Sequence, residues 1–120
     1  MKRKRRRGVF LVTVSGSFEA AHRLRLPGAP CEKIHGHGWR VEASFTGTLG
    51  RDGIVLDFIA LERALKERVI SVLDHTDLND LFEKPTTEIV ARWIWERLAP
   101  LGVAEVRLWE TPGCSVTYRR

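Results

Sequence analysis

Two stretches of alternating apolar and polar residues near the start of the chain predict a pair of β-strands. In the first, residues 9–22, the even-numbered positions are mostly apolar: Phe10, Val12, Val14, Phe18, Ala20 and His22. In the second, the odd-numbered positions are apolar: Trp39, Val41, Ala43 and Phe45. A period of two is typical of a strand with one buried face. The prolines and glycine of residues 27–30 interrupt the pattern, so the two strands should form a long hairpin.

Helical spacing follows the hairpin. Apolar residues recur every three or four positions between Leu61 and Leu73, after Asp57, a residue type that caps helix N-termini. A polar loop over residues 74–84 then leads to Pro85 and Thr86, which favour the start of a second amphipathic helix. Two amphipathic helices are therefore predicted, joined by a polar loop.

Alternation returns near the C-terminus. Residues 104–110 and 114–118 both alternate, and Pro112 and Gly113 between them favour a tight turn. The order strand, strand, helix, helix, strand, strand predicts an α+β domain. We expect an antiparallel four-stranded sheet with two helices on one face, formed by residues 9–120 as a single domain.

Composition changes this picture only at the N-terminus. The 120 residues carry a net charge of +5, but residues 2–7 supply six positive charges and leave −1 for the rest. We expect residues 1–8 to be a disordered basic tail, and nucleic-acid binding by the domain is not favoured. No apolar run approaches a membrane span, and two cysteines without an export signal favour a cytoplasmic protein.

Three histidines share one side of the predicted hairpin. His35 and His37 lie two apart at the start of the second strand, and His22 ends the first strand on its apolar face. An antiparallel hairpin places these strand ends side by side, so the three rings can converge. Three imidazoles with an open fourth position are a typical catalytic zinc site. The spacing also allows Cys31 as a fourth ligand, which would make the zinc structural.

Several short motifs occur in an order that resembles one known family. They are Phe18-Glu19-Ala20-Ala21-His22, Cys31-Glu32-Lys33-Ile34-His35-Gly36-His37, Leu73-Asp74-His75, Leu78-Asn79, Pro85-Thr86-Thr87-Glu88 and Trp109-Glu110-Thr111. The chain is similar to the 6-pyruvoyltetrahydropterin synthase and 6-carboxytetrahydropterin synthase family. Three residues separate Cys31 from His35, a spacing most similar to that of the bacterial 6-carboxytetrahydropterin synthases.

The resemblance implies a fold, an assembly and roles for residues. The fold is the tunnelling fold, in which trimeric barrels stack into hexamers with active sites at subunit interfaces. The implied zinc ligands are His22, His35 and His37. Cys31 would be the general base, Asp74 and His75 of a neighbouring subunit would assist proton transfer, and Glu110 and Thr87 would anchor the pterin ring.

The implied activity is a lyase reaction on 7,8-dihydroneopterin triphosphate that yields 6-carboxy-5,6,7,8-tetrahydropterin for queuosine biosynthesis. Two related products remain open: 6-pyruvoyltetrahydropterin and, through side-chain cleavage, 6-hydroxymethyldihydropterin for folate. Glu32, directly after Cys31, is a candidate second acid/base group for that cleavage, or a solvated loop residue. Two non-enzymatic alternatives also remain open: a structural-zinc module that binds nucleic acid and a pterin carrier.

Overall fold

The computed structural model describes residues 8–24 and 33–120. The basic tail over residues 1–7 lies outside this range, as do Cys31 and Glu32, so their predicted roles remain predictions.

The predicted hairpin forms the centre of the sheet. β1 (Leu11–His22) and β2 (His35–Thr46) pair antiparallel along their whole length, from Leu11 opposite Thr46 to His22 opposite His35. The apolar positions of both strands point into the core, where Trp39, Val41, Ala43 and Phe45 of β2 are fully buried. The period-two pattern therefore predicted the buried face correctly.

The sheet has five strands rather than the four predicted, in the order β3-β1-β2-β4-β5. β4 (Val103–Thr111) and β5 (Cys114–Arg119) form the expected closing hairpin. The additional strand, β3 (Thr76–Asp77), is two residues long and pairs parallel with Ala20 and Ala21 of β1. Its polar sequence is too short to show alternation, which is why the segment reads as a loop.

The helices lie where the spacing places them, and both predicted caps are present. α1 (Phe58–Leu65) continues through a π-helical turn (Lys66–Ile70) into α2 (Ser71–Leu73), and the Asp57 carboxylate accepts from the backbone N of Ile59. α3 (Thr87–Leu98) follows a 3-10 turn (Leu78–Asp80) and is capped by Thr86. A second 3-10 turn (Ala99–Leu101) ends at Gly102, which has φ 84°.

One core joins the helices to the sheet. It contains the inward residues of β1, β2 and β4 together with the apolar faces of the helices, including Leu61, Leu65, Val69, Leu73, Val90, Ile94 and Leu98. Both helical segments therefore cover the same face of the sheet, as predicted. None of the helices in the described part of the chain has the length and hydropathy that crossing a lipid bilayer requires.

The π-helical turn packs closely on β1 at Gly16. A Cβ atom at this position would overlap Ile70 Cδ1 and lie 3.7 Å from Leu65 Cδ2. Glycine is therefore favoured here by the approach of the helix to the strand rather than by backbone conformation, and a larger residue would force the Ile70 side chain to move.

We expect Gly16→Ala to lower the free energy of unfolding by about 1–2 kcal/mol, because the new methyl group overpacks the core against Ile70. Ile70→Val removes the overlapping carbon, so the double variant should lose less stability than the two single variants combined. Denaturant unfolding of all four proteins measures this coupling. Gly113→Ala is the control, since a Cβ there meets nothing within 4 Å. Strictly additive losses would contradict the overlap.

Candidate metal and substrate site

Three histidine rings converge at one end of the hairpin, as the strand parity predicts. The ring centroids lie 4.7 Å apart for His22 and His35, 4.6 Å for His35 and His37, and 5.4 Å for His22 and His37. We call these three residues the histidine cluster. Trp39 packs edge-on against His22 and His37 and donates its indole N–H to the Ala20 carbonyl at 3.1 Å. The buried indole therefore packs against two of the three rings and restricts their movement.

Backbone carbonyls orient two of the rings. His22 Nδ1 lies 2.9 Å from the Pro85 carbonyl, and His35 Nδ1 lies 3.0 Å from the Lys33 carbonyl. An imidazole that donates from Nδ1 to a carbonyl presents Nε2 as an electron-pair donor, which is how metal-bound histidines are commonly held. His22 Nε2 is buried and has no hydrogen-bond partner. A metal ion would satisfy this nitrogen.

Burial favours the neutral, metal-binding form of His37. Desolvation of the ring lowers its pKa below the ordinary value, and His35 and His22 act in the same direction, although the nearby Glu110 carboxylate opposes them. His37 Nε2 is also buried without a hydrogen-bond partner. Together with His22, it leaves two ring nitrogens directed into a shared space.

Glu110 adds a fourth candidate ligand. Its Oε1 lies 2.8 Å from His22 Nε2 and 3.2 Å from His37 Nε2. One nitrogen from each of the three rings and one Glu110 oxygen lie within 4.8 Å of one another. The donor set therefore fits a divalent metal of the zinc type, for which imidazole and carboxylate are normal ligands.

Thr87 lies next to the same carboxylate. The Thr87 hydroxyl donates to Glu110 Oε2 at 3.4 Å, a long hydrogen bond, and Thr87 is buried at the first turn of α3. Both residues that the sequence links to substrate thus meet beside the histidine cluster. Glu110 reaches this place because Trp109 pairs with Arg40, which puts the next residue beside the end of β2 that carries His37.

Asp74 and His75 lie elsewhere in the same chain. Asp74 Oδ1 accepts a hydrogen bond from the Glu19 backbone N at 2.8 Å, and Oδ2 lies 3.0 Å from His75 Nδ1. The Glu19 N–H makes the largest contribution to lowering the pKa of Asp74 below its ordinary value, and His75 adds to the effect. The carboxylate is therefore kept ionised, which suits it to hold the imidazole in place.

The Asp74-His75 pair lies at the edge of the sheet beside β1, where the His75 backbone N donates to the Glu19 carbonyl. A cleft of about 450 Å³ there is lined by residues of β1, β2 and β3 together with His75, and His37 of the histidine cluster is among them. His75 has φ 56°, a left-handed backbone conformation that is costly for a residue with a side chain.

Comparison with known proteins decides the family. Residues 11–120 match the sequence profile of the 6-pyruvoyl tetrahydropterin synthase family. The chain belongs to this family. The resemblance deduced from the motifs is thereby confirmed over residues 11–120.

Individual members of the pterin synthase family differ in their named activities. A Synechocystis protein named 6-carboxy-5,6,7,8-tetrahydropterin synthase is 40% identical over 94 residues, which are 72% of this chain and 73% of the relative. A Pyrococcus furiosus protein named dihydroneopterin monophosphate aldolase is 36% identical over 92 residues, 77% of each chain. The 6-pyruvoyl tetrahydropterin synthase of Caenorhabditis elegans shares the fold with a TM-score of 0.82 at 24% identity, covering 98% of this chain and 99% of the other.

Asn79 holds the chain in place directly after His22, a role that the sequence does not reveal. Its side-chain oxygen accepts from the Arg23 backbone N at 2.8 Å, and its amide nitrogen donates to the Arg23 carbonyl at 3.0 Å. The Asn79 side chain thus makes the two backbone hydrogen bonds that a neighbouring strand would make with Arg23. The Leu78-Asn79 motif was visible in the sequence, but its spacing gives no sign of the partner.

We expect the protein to bind one divalent metal ion per chain and His37→Ala to lower the metal content, because the variant loses one of the four candidate ligands and with it the three-imidazole set. His75→Ala is the matched control. It removes the same ring at an exposed residue outside the group of converging ligand atoms and should retain the metal. Elemental analysis after gel filtration measures both. Full metal content in His37→Ala would contradict the assignment of the histidine cluster.

Proposed function

We propose that this protein is a zinc-dependent lyase that converts 7,8-dihydroneopterin triphosphate to 6-carboxy-5,6,7,8-tetrahydropterin, in the cytoplasm and for queuosine biosynthesis. The observation that carries the proposal is the histidine cluster with Glu110 and Thr87 beside it. This arrangement combines a metal site with a polar anchor for a flat, hydrogen-bonding ring. The 40% identity to the Synechocystis enzyme supports the choice of product.

Zinc is the metal that the donor set favours. His22, His35 and His37 would hold it through one ring nitrogen each, and imidazole nitrogen with carboxylate oxygen is a common zinc environment. Zinc bound there would supply a Lewis acid that lowers the pKa of hydroxyl groups on the substrate side chain.

The protein's own groups would then orient the substrate and move its protons. The Glu110 carboxylate accepts hydrogen bonds from the ring N–H and the 2-amino group of the pterin, with the Thr87 hydroxyl beside it. Cys31, as a thiolate, removes a proton from the substrate side chain. Asp74 orients His75, which exchanges protons with the same side chain while triphosphate leaves. For the carboxy product, one water molecule is consumed to supply the second carboxyl oxygen, and acetaldehyde leaves.

His75 would serve the active site of a neighbouring subunit, because its side chain is 77% exposed and it does not belong to the group of converging ligand atoms in its own chain. The sheet has edges at which subunits can join. Within the described residues, β1 is paired on its outer side only at Ala20 and Ala21, and β5 forms the opposite edge. Pairing of such edges between copies would close a barrel. We therefore propose the tunnelling-fold hexamer, two stacked trimers.

The first test is product identification by mass spectrometry after incubation with 7,8-dihydroneopterin triphosphate. We expect 6-carboxytetrahydropterin from the wild type. Cys31→Ala should lose turnover by a factor of at least about 10², because the general base is gone while the metal ligands are intact. Its metal content should equal that of the wild type. Loss of the metal in Cys31→Ala would instead assign the thiolate as a fourth ligand of a structural zinc.

A second candidate function is side-chain cleavage to 6-hydroxymethyldihydropterin. The 36% identity to the Pyrococcus furiosus aldolase and the adjacent Cys31 and Glu32 favour it. The same assay separates the two functions. If Glu32 acts in cleavage, Glu32→Gln should remove the hydroxymethyl product and spare the carboxy product. An unchanged product ratio in Glu32→Gln would remove Glu32 from the chemistry.

Subunit complementation tests the shared site. Cys31→Ala and His75→Ala should each be inactive alone, because each lacks one proton-transfer group. When equal amounts of the two variants assemble together, about a quarter of wild-type activity should return. With random assembly, that share of sites takes its Cys31 from a His75→Ala subunit and its His75 from a Cys31→Ala subunit. Light scattering gives the assembly size. An active monomer, or mixed hexamers without recovered activity, would contradict the shared site.

A further inference from the structure

Glu110 Oε1 lies within reach of a metal held by the histidine cluster. A tetrahedral metal with bonds of about 2.1 Å separates its ligand atoms by about 3.4 Å. The distances from Oε1 to His22 Nε2 and His37 Nε2 are 2.8 and 3.2 Å, and all four candidate ligand atoms lie within 4.8 Å of one another. Small side-chain adjustments would therefore let the carboxylate oxygen act as a fourth ligand.

Oε1 faces two buried ring nitrogens at once. It is close enough to pair with His22 Nε2 or His37 Nε2 when either ring is protonated there, and neither nitrogen has another hydrogen-bond partner. A metal bound between the rings would replace this pairing, because neutral imidazoles present Nε2 as an electron-pair donor and the carboxylate oxygen would lie beside the same metal.

The same carboxylate is the proposed anchor of the pterin ring, and it cannot bind both partners through Oε1 at once. Its remaining contact is weak, the 3.4 Å hydrogen bond from Thr87 to Oε2. Its side chain is 28% exposed, which leaves it room to move. Glu110 thus has two competing partners, the metal and the ring, and little else that holds it.

We propose that Glu110 is the fourth ligand of the metal in the substrate-free protein and leaves the metal for the pterin ring when substrate binds. This inference rests on the proposed function. A closed set of four protein ligands retains the metal and excludes other ligands from it. When the pterin ring binds, the Glu110 carboxylate moves from the metal to the ring. The coordination position that it leaves can then accept a hydroxyl group of the substrate side chain.

The test uses the full chain loaded with Co²⁺, whose visible absorption reports the ligand set. We expect Glu110→Gln to change the substrate-free spectrum and to weaken metal affinity at least about tenfold in competition with a chelator. Glu105→Gln is the matched control. It makes the same change on the same strand, at a carboxylate that pairs with Arg119, and should alter neither quantity. A wild-type spectrum in Glu110→Gln overturns the proposal.

A ring without a side chain tests the exchange itself. 6-Methylpterin can attract the carboxylate but has no side-chain hydroxyl to bind the metal, so its binding should shift the wild-type spectrum towards that of Glu110→Gln. Fluorescence confirms that the ring is bound. An unchanged spectrum with the ring bound overturns the exchange. The proposed function fails separately, if the wild type does not turn over 7,8-dihydroneopterin triphosphate.

Discussion

The register of the central hairpin is the constraint on which the site depends. β1 and β2 pair without a break from Leu11 opposite Thr46 to His22 opposite His35, so the two strand ends that carry the histidines meet. Side chains alternate between the faces of a sheet, and a shift of one residue in either strand would turn its ligands away from the core. The alternation that buries Trp39 and Phe45 is the same alternation that directs His35 and His37. Core packing and metal-site geometry are therefore fixed by one pairing.

Much of this arrangement could be predicted from the sequence, because strand parity is a local property. It placed His22, His35 and His37 on one face of the predicted hairpin. The N-capping residues Asp57 and Thr86 likewise marked the starts of α1 and α3, because capping is also a local property. These features depend on residues close together in the chain.

Features that depend on distant partners were not predictable. Residues 74–79 run beside the end of β1 through two side chains, Asp74 on Glu19 and Asn79 on Arg23, with β3 between them. A segment that is held beside a strand partly by side-chain hydrogen bonds leaves no alternating pattern in the sequence. The 2.8 Å approach of Glu110 to His22 likewise requires the register of β4 on β2, which residue spacing within one strand cannot give.

The hydrogen bonds of Asp74 and His75 to Glu19 would connect neighbouring active sites if subunits share them as proposed. Glu19 is three residues before His22 on the same strand, yet the two belong to opposite faces. In a closed ring of subunits, each β1 strand would carry the metal of one site on its inner face and support the proton-transfer pair of the next on its edge. Displacement of the strand by one substrate would then move the acid-base group that acts on another. Movement of one β1 strand would thus couple the reactions at two active sites.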